Sequence, residues 1–589
     1  GRAVTHDVTS QPYASQIQSY FTKPTADLRS TDGRSAVVLA KVDSGPDATP
    51  DPGVDELIDR IEGESTGQVL VRVGGQTGAN LALTNQIGKD LALVSIVAVP
   101  VTVVLLYFVF GGILAAALPL AVTVIAVLGS FATLHLLTEF TPVSTYAIDL
   151  TIALGLGLAV DYGLLIVSRF REEAALQDDP YEALARSLAT AGRTVLFSGV
   201  TVALALTALL VFPVYFLKSF GYAGIAVVVF AVAGALVVLP ALIAAAAPRL
   251  TAHWARRARG QAQQGDGSPR WRAVASAVTA RPALLGLPVA AVLVVVGLPL
   301  LHVHFASPDD RALRSSVAAH QVGDALRAGF GDTSDTALTV VTTTPADGQP
   351  LSAADLAGYS AALSRQAGVT QVAGPAGTWR AGSLLAGSTR PDPARSATRY
   401  DYWTINNRLD PTGSDAAALV RAVRAVPVPP GALGVVGGEA ASLVDQKHSI
   451  THALPAAIAV LVVATLIMLF LFTGSVLIPL KALVLNALTL FAVLGAMVWV
   501  FQGGHLTSLL RFTPTPTSTT IPPLLLVVAF ALSVDYEVFL ISRIKEFHDD
   551  GLPNREAVVD GMARTGGIVT TAAVLLCVTF FAFGLSKIS

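Results

Sequence analysis

The chain has 589 residues, of which 53% are hydrophobic and 14% charged, with a formal net charge of -2. It is too long for one soluble domain and too apolar for an ordinary soluble protein. The near-neutral charge, without a zinc spacing, a P-loop or a phosphate-binding glycine fingerprint, points to no nucleic acid, no metal and no cofactor.

In chain order, residues 1–90 are polar and read as one βαβ unit, with a strand over 35–42, a helix over 54–62 and a strand over 68–73. Five apolar runs follow, at 91–110, 113–135, 146–168, 194–213 and 218–247. Each reaches the roughly 20 residues needed to cross about 30 Å of hydrocarbon. The segment 248–282 carries Arg249, Arg256, Arg257, Arg259, Arg270, Arg272 and Arg281 against the single acid Asp266. By the excess of arginine, that loop is cytoplasmic. A sixth span lies at 283–301. A second soluble segment, 302–450, reads as βαβ twice, with strands over 336–343, 369–372, 398–405 and 433–436 and helices over 353–366 and 415–423. Four more spans, 453–473, 476–500, 522–542 and 568–585, complete the set. Counting from the basic loop puts both soluble segments outside the membrane. Cys577 is the one cysteine, so no intramolecular disulfide forms, and its apolar setting reads as a small core residue.

The halves repeat. Val73-Gly74-Gly75-Gln76 matches Val436-Gly437-Gly438-Glu439, and in each case a leucine opening a span, Leu91 or Leu454, follows 17 residues after the first glycine. Gly192 lies 31 residues after Asp161, and Gly566 lies 31 after Asp535. A parallel repeat of this kind sets equivalent helices around a pseudo-two-fold axis along the membrane normal. Symmetry predicts twelve spans for the whole fold. Ten fall in this chain, so the fold is expected to be incomplete at both ends.

One triplet occurs in both halves at equivalent places: Val160-Asp161-Tyr162 and Val534-Asp535-Tyr536, each with its aspartate seven residues before a Ser-Arg pair. Asp161 lies eight residues from Arg169, about 12 Å along a helix, which puts it near the bilayer midplane. A carboxylate there costs about 2.5–3.5 kcal/mol on insertion scales and is functional by default. The ionised form is disfavoured, so such a carboxyl can load a proton from one side and release it to the other. Adjacent residues project about 100° apart on a helix, so in a symmetric pair each aspartate meets the other helix's tyrosine. The expected contacts are Asp161 with Tyr536 and Asp535 with Tyr162. Ser198, Thr201, Thr570 and Thr571 on the following spans are candidates to support the proton path. Thr579 is a further hydroxyl there, and every one of these could instead bond back to its own helix. His448 and His452 share a helix face, which by itself does not make a metal site. No nucleophile elbow or Ser/His/Asp arrangement points to an enzyme.

The doubled Asp-Tyr, the Val167–Glu173 ending (Val-Ser-Arg-Phe-Arg-Glu-Glu), Thr190-Ala-Gly-Arg-Thr194, Leu28-Arg-Ser-Thr-Asp-Gly-Arg-Ser35 and Gly74-Gly-Gln-Thr77 resemble the MmpL transporters of actinobacteria, within the resistance-nodulation-division (RND) superfamily. The resemblance covers essentially the whole chain. It implies a two-fold pseudo-symmetric, polytopic α-helical membrane protein with two extracytoplasmic α/β porter domains, ferredoxin-like in their βαβ units. Its parts would be a partial first porter domain at 1–90, transmembrane helices 2–6 at 91–247, the basic loop at 248–282, helix 7 at 283–301, the second porter domain at 302–450 and helices 8–11 at 451–589. The resemblance assigns the proton relay to Asp161, Tyr162, Asp535 and Tyr536. It implies proton-driven export of a lipid, glycolipid or hydrophobic secondary metabolite in the bacterial plasma membrane. The coupling ion would be the proton, and the protein a monomer rather than a trimer, with cargo and membrane lipids as partners. The alternative is a non-transporting sterol-sensing or scaffold protein on the same fold.

Overall fold

The computed structural model describes residues 1–25, 28–42, 53–66, 69–258, 268–306, 313, 315–330, 336–344, 349–386, 395–396, 399–510, 512 and 514–583. Among the described residues the long helices are α1 (Gly75–Phe110), α2 (Ile113–Thr138), α3 (Ala147–Glu173), α4 (Pro180–Val211), α5 (Tyr215–Thr251), α6 (Pro282–His302), α7 (Glu439–Thr473), α8 (Leu477–Gln502), α9 (Ile521–Asp549) and α10 (Asn554–Phe583). Among the described residues, α2 to α10 are each long and apolar enough to cross a bilayer. The expected span at 91–110 is the end of α1. Side chains at 87–99 lie outside the described set, and Pro100–Phe110 is apolar. Residues 584 and 585 of the last expected span, Arg259 of the basic loop, and the side chains of Thr579, Arg256 and Arg257 also lie outside it. The described end of that loop folds as a helix, Pro269–Ala280, held to α10 by an Arg272–Asp560 ion pair at 2.6 Å.

The repeat is visible in the backbone. Helices α1 and α7 run 36 and 35 residues, begin within the polar segments and continue into the apolar ones. Each starts at the Gly-Gly motif, whose second glycine has a positive φ, +80° at Gly75 and +111° at Gly438. L-residues with a side chain rarely adopt that conformation, so the motif marks the turn from soluble domain into helix. Each ends on a left-handed glycine cap, Gly111 or Gly474, which stops the helix before the next span begins. The halves part company after the second span of each. Residues 503–520 of the second half stand where the first half has only 139–146. The extra residues reach back to the segment after α6, where Thr517 pairs with Phe305 and the Gln502 side chain accepts from the His304 backbone.

Helices α2, α3, α5 and the second half of α4 bury a dense apolar core. Helix α9 packs on α4, and α3 packs on α10, so each Asp-bearing helix lies against the other half's following helix. Cys577 is exposed on α10 and is not a core residue. Ala572 and Leu575 occupy the inward face of that helix, which turns position 577 outward.

Residues 1–74 hold a helix (Arg2–Thr9), strands β1 (Ala14–Ser19) and β2 (Val38–Val42), and a helix (Gly53–Gly63). The helix expected at 54–62 and most of the strand expected at 35–42 are present; the first helix and β1 were not anticipated, and β1 pairs antiparallel with β2. The expected strand at 68–73 does not form over its described part. Two of its backbone donors go to side chains, Val71 N–H to Ser65 and Val73 N–H to Glu62, which takes them from any ladder.

The second soluble segment contains β3 (Leu338–Thr343), β4 (Val369–Gly374), β5 (Gly377–Arg380), β6 (Ser383–Ala386), β7 (Tyr400–Asn407) and β8 (Leu433–Gly437) in one antiparallel sheet, ordered β6-β5-β4-β7-β3-β8. Strand β7 lies between β3 and β4, so each βαβ unit is split by a strand of the other. Helices Ala353–Ser364 and Ser414–Ala425 close one core around Trp403, whose indole N–H donates to Ser360 at 2.8 Å.

At one end of this core, Asp401 and its cross-strand neighbour Thr342 turn inward. Among the described residues, neither Asp401 Oδ1 nor the Thr342 and Thr344 hydroxyls find a hydrogen-bond partner. Burial pushes the Asp401 carboxyl above the usual aspartate range, against a smaller opposing effect of Ser396. A raised carboxyl binds its proton more tightly in the folded state, so it favours folding in acid and costs stability as pH rises past the unfolded value of about 4. Asp401→Asn is therefore expected to raise the unfolding midpoint at pH 7, with the gain shrinking to nothing below about pH 4. Thermal unfolding followed by near-UV circular dichroism at both pH values checks this, and an unchanged midpoint at pH 7 counts against it.

Candidate functional site

The two Asp-Tyr triplets meet between α3, α4 and α9. Tyr536 of α9 donates its hydroxyl to the Asp161 carboxylate of α3, joining residues of opposite halves. Asp535 of α9 is buried and accepts from the Ser198 hydroxyl of α4. Ser198 in turn stands 3.5 Å from the Tyr162 hydroxyl of α3. The expected direct contact between Asp535 and Tyr162 is thus replaced by one through Ser198. The reason lies in the repeat: the position equivalent to Ser198 on α10 is Ala572, which has no hydroxyl to insert beside Asp161. These groups line a cavity of about 30 Å³, room for one water molecule.

Of the four candidate supporting hydroxyls, only Ser198 reaches the cluster. Thr201 bonds back to Phe197 O at 2.8 Å, Thr570 to Gly566 O at 2.7 Å and Thr571 to Gly567 O at 2.9 Å. Helical spacing explains the outcome. One turn from Ser198 on the same face is Thr194, which lines the cavity, whereas Thr201 is turned aside.

Three groups of residues escaped the sequence reading. Thr194 shares a hydrogen bond of 2.9 Å with Ser542. Beyond them, Arg169 and Arg543 each hold both Glu172 and Glu546, at 3.2 and 3.0 Å from Arg169 and at 2.6 and 2.7 Å from Arg543. The signal was present, since the Arg-x-x-Glu spacing recurs in both triplet helices and places Arg and Glu on one helical face. The third group has no such signal. Asn486 of α8 donates to Glu537 at 3.2 Å and accepts from Ser533. In the first half, Thr123 and Gly163 stand at the positions of Asn486 and Glu537, so the repeat does not announce this cluster.

The MMPL family model matches residues 4–285 and 304–589. A membrane protein of Streptomyces coelicolor, SCO6666, is 38% identical over 94% of this chain and 73% of its own length. The trehalose monomycolate exporter MmpL3 of Mycobacterium tuberculosis is 32% identical over 88% of this chain and 56% of its own. The mycolic acid-containing lipids exporter MmpL11 of Mycolicibacterium smegmatis is 28% identical over 88% and 54%. The chain therefore spans little more than half the length of these mycobacterial relatives.

Ser198→Ala would leave the buried Asp535 without the hydroxyl that meets it. The expected cost is about 1–3 kcal/mol of stability, seen as a lower unfolding midpoint of the purified protein, while Ala572→Ser at the equivalent position changes it less. A Ser198→Ala protein as stable as the parent contradicts this assignment.

Proposed function

Because the chain belongs to the MMPL family, we propose that it forms the transport unit of a proton-driven exporter in the bacterial plasma membrane. The observation that carries the reading is the exchange of partners across the pseudo-two-fold axis. Tyr536 serves Asp161, and Ser198 beside Tyr162 serves Asp535. Two carboxyls share one small cavity deep in the helices, where hydration cannot hold two negative charges. Binding a proton at one of them removes a charge and changes which hydroxyl must donate. That is a local reason for α3 and α9 to shift against each other.

The shift has a route to the outside. Helices α1 and α7 are continuous from the soluble segments into the apolar region, so a tilt within the membrane moves the domains they carry. The split βαβ sheet of residues 338–437 supports a ferredoxin-like porter domain, with 302–450 and 1–90 as the two extracytoplasmic segments and 248–282 as the cytoplasmic loop. The relatives MmpL3 and MmpL11 are named for the export of trehalose monomycolate and of mycolic acid-containing lipids. The cargo class for this chain is accordingly a lipid, glycolipid or similarly amphiphilic metabolite. The proton is the coupling ion, no cofactor takes part, and a monomer suffices because both carboxyls lie in one chain.

Asp161→Asn and Asp535→Asn are each expected to reduce export to background while the protein still reaches the membrane. Tyr536→Phe, which removes the donor to Asp161, is expected to impair export less than either. The comparison is made on the extractable surface lipids of a deletion strain complemented with each variant, with and without an uncoupler. Export that survives both aspartate replacements and the uncoupler would sink the proton-driven reading and favour a scaffold role.

A further inference from the structure

Two cavities lie in line along the Asp-bearing helices. The first is the 30 Å³ space at the Asp-Tyr cluster. The second, of about 300 Å³, is walled by Arg169, Arg543, Glu172 and Glu546, with Lys545 and Arg564 among its other charges and Asp549 and Asp550 at its rim. Four side chains line both cavities and so form the neck between them: Leu165, Phe539, Thr194 and Ile568. These are two symmetry-related pairs, since Phe539 and Ile568 lie 374 residues after Leu165 and Thr194, the separation of the two aspartates. Three of the four are apolar. The neck is polar only at Thr194.

Thr194 is also connected on both sides. It lies one helical turn from Ser198, the hydroxyl that meets Asp535, and both face the small cavity. On the far side its hydroxyl hydrogen-bonds to that of Ser542 at 2.9 Å, and both border the larger cavity. The mirror path is closed. Ile568 has no hydroxyl, and Ser168, the counterpart of Ser542, bonds back to Leu165 O at 3.0 Å.

We propose that protons pass between the Asp-Tyr cluster and the cytoplasm by a single one-sided route, Ser198 to Thr194 to Ser542, ending at the Arg169–Glu172–Arg543–Glu546 ring. The inference rests on the proton-driven reading above and adds the path and its asymmetry. In the direction from the cluster to the cytoplasm the O–H bond of the Asp535 carboxyl breaks and its proton goes to Ser198. Each hydroxyl, with one water in the small cavity, accepts a proton on a lone pair and gives up its own, so every hydroxyl ends unchanged and no electrons are transferred. Glu172 or Glu546 takes the proton at the ring and passes it to water in the larger cavity. Protonating either glutamate releases its two arginine contacts, so the ring opens as the proton arrives.

The experiment is a pH jump on proteoliposomes of the full-length protein sorted for cytoplasmic face outward, with loading of the buried carboxyls followed by time-resolved infrared spectroscopy. The parent protein should show a protonated-carboxyl band that Asp535→Asn diminishes. Thr194→Val, which keeps the side-chain shape and removes the hydroxyl, should reach the parent amplitude at least about tenfold more slowly. Thr194→Ser should restore the rate, and the rescue separates conduction from packing. A Thr194→Val protein that loads at the parent rate, in a preparation where Asp535→Asn loses the band, overturns the route and leaves the relay standing. A band indifferent to both Asp161→Asn and Asp535→Asn overturns the relay itself, and the route with it.

Discussion

The burial of two carboxyl groups in one small cavity is the constraint around which the membrane part is organised. Neither Asp161 nor Asp535 finds its hydrogen-bond donor on its own helix. Asp161 takes Tyr536 from the other half, and Asp535 takes Ser198 from the other half. A donor from the same helix would leave each half self-sufficient. Because the donors are exchanged, the two halves close on each other, and a change in charge at one aspartate is felt across the axis.

The same exchange recurs about two helical turns away, where Arg169 and Arg543 each bind the glutamates of both helices. Helices α3 and α9 are therefore tied at two levels. One tie is made of neutral donors and carboxyls at a small cavity, the other of ion pairs beside a larger one. Charged pairs near solvent are weaker and more easily opened than buried ones, so the two ties differ in the ease with which water reaches them. The proposed proton path draws on that gradient of hydration, and the departures from symmetry, Ser198 against Ala572 and Thr194 against Ile568, are what the proposal uses to put it on one flank of the cluster.

The fold was largely legible. Apolar runs of membrane-spanning length marked the helices, and in residues 338–437 both helices and four of the six strands followed from their hydrophobic period, while the short β5 and β6 were missed. What failed did so for local reasons. The stretch at 68–73 has the composition of a strand, yet Ser65 and Glu62 take its backbone donors. Cys577 sits in an apolar run, but the run is a helix with one inward face, and position 577 is on the other. In the site, the repeated triplet was visible because it recurs in register. Thr201, Thr570 and Thr571 had the right chemistry and the wrong helical phase, while Thr194 and Ser542 had the right phase and were noticed only as parts of longer motifs.

The amino-acid sequence by itself determined that this chain crosses a membrane many times, that its halves repeat, and that two Asp-Tyr pairs occupy equivalent depths. These are properties of composition, period and spacing, which a linear string carries in full. Only the tertiary structure decided who meets whom. Ser198 comes between Asp535 and Tyr162 because α4 packs on α9, and the two contacts that cross between helices, Arg169–Glu546 and Arg543–Glu172, exist because helices separated by hundreds of residues align their charged ends. Partner choice depends on helix rotation and distance, which follow from the packing of the whole bundle and leave no mark in the spacing of any one segment.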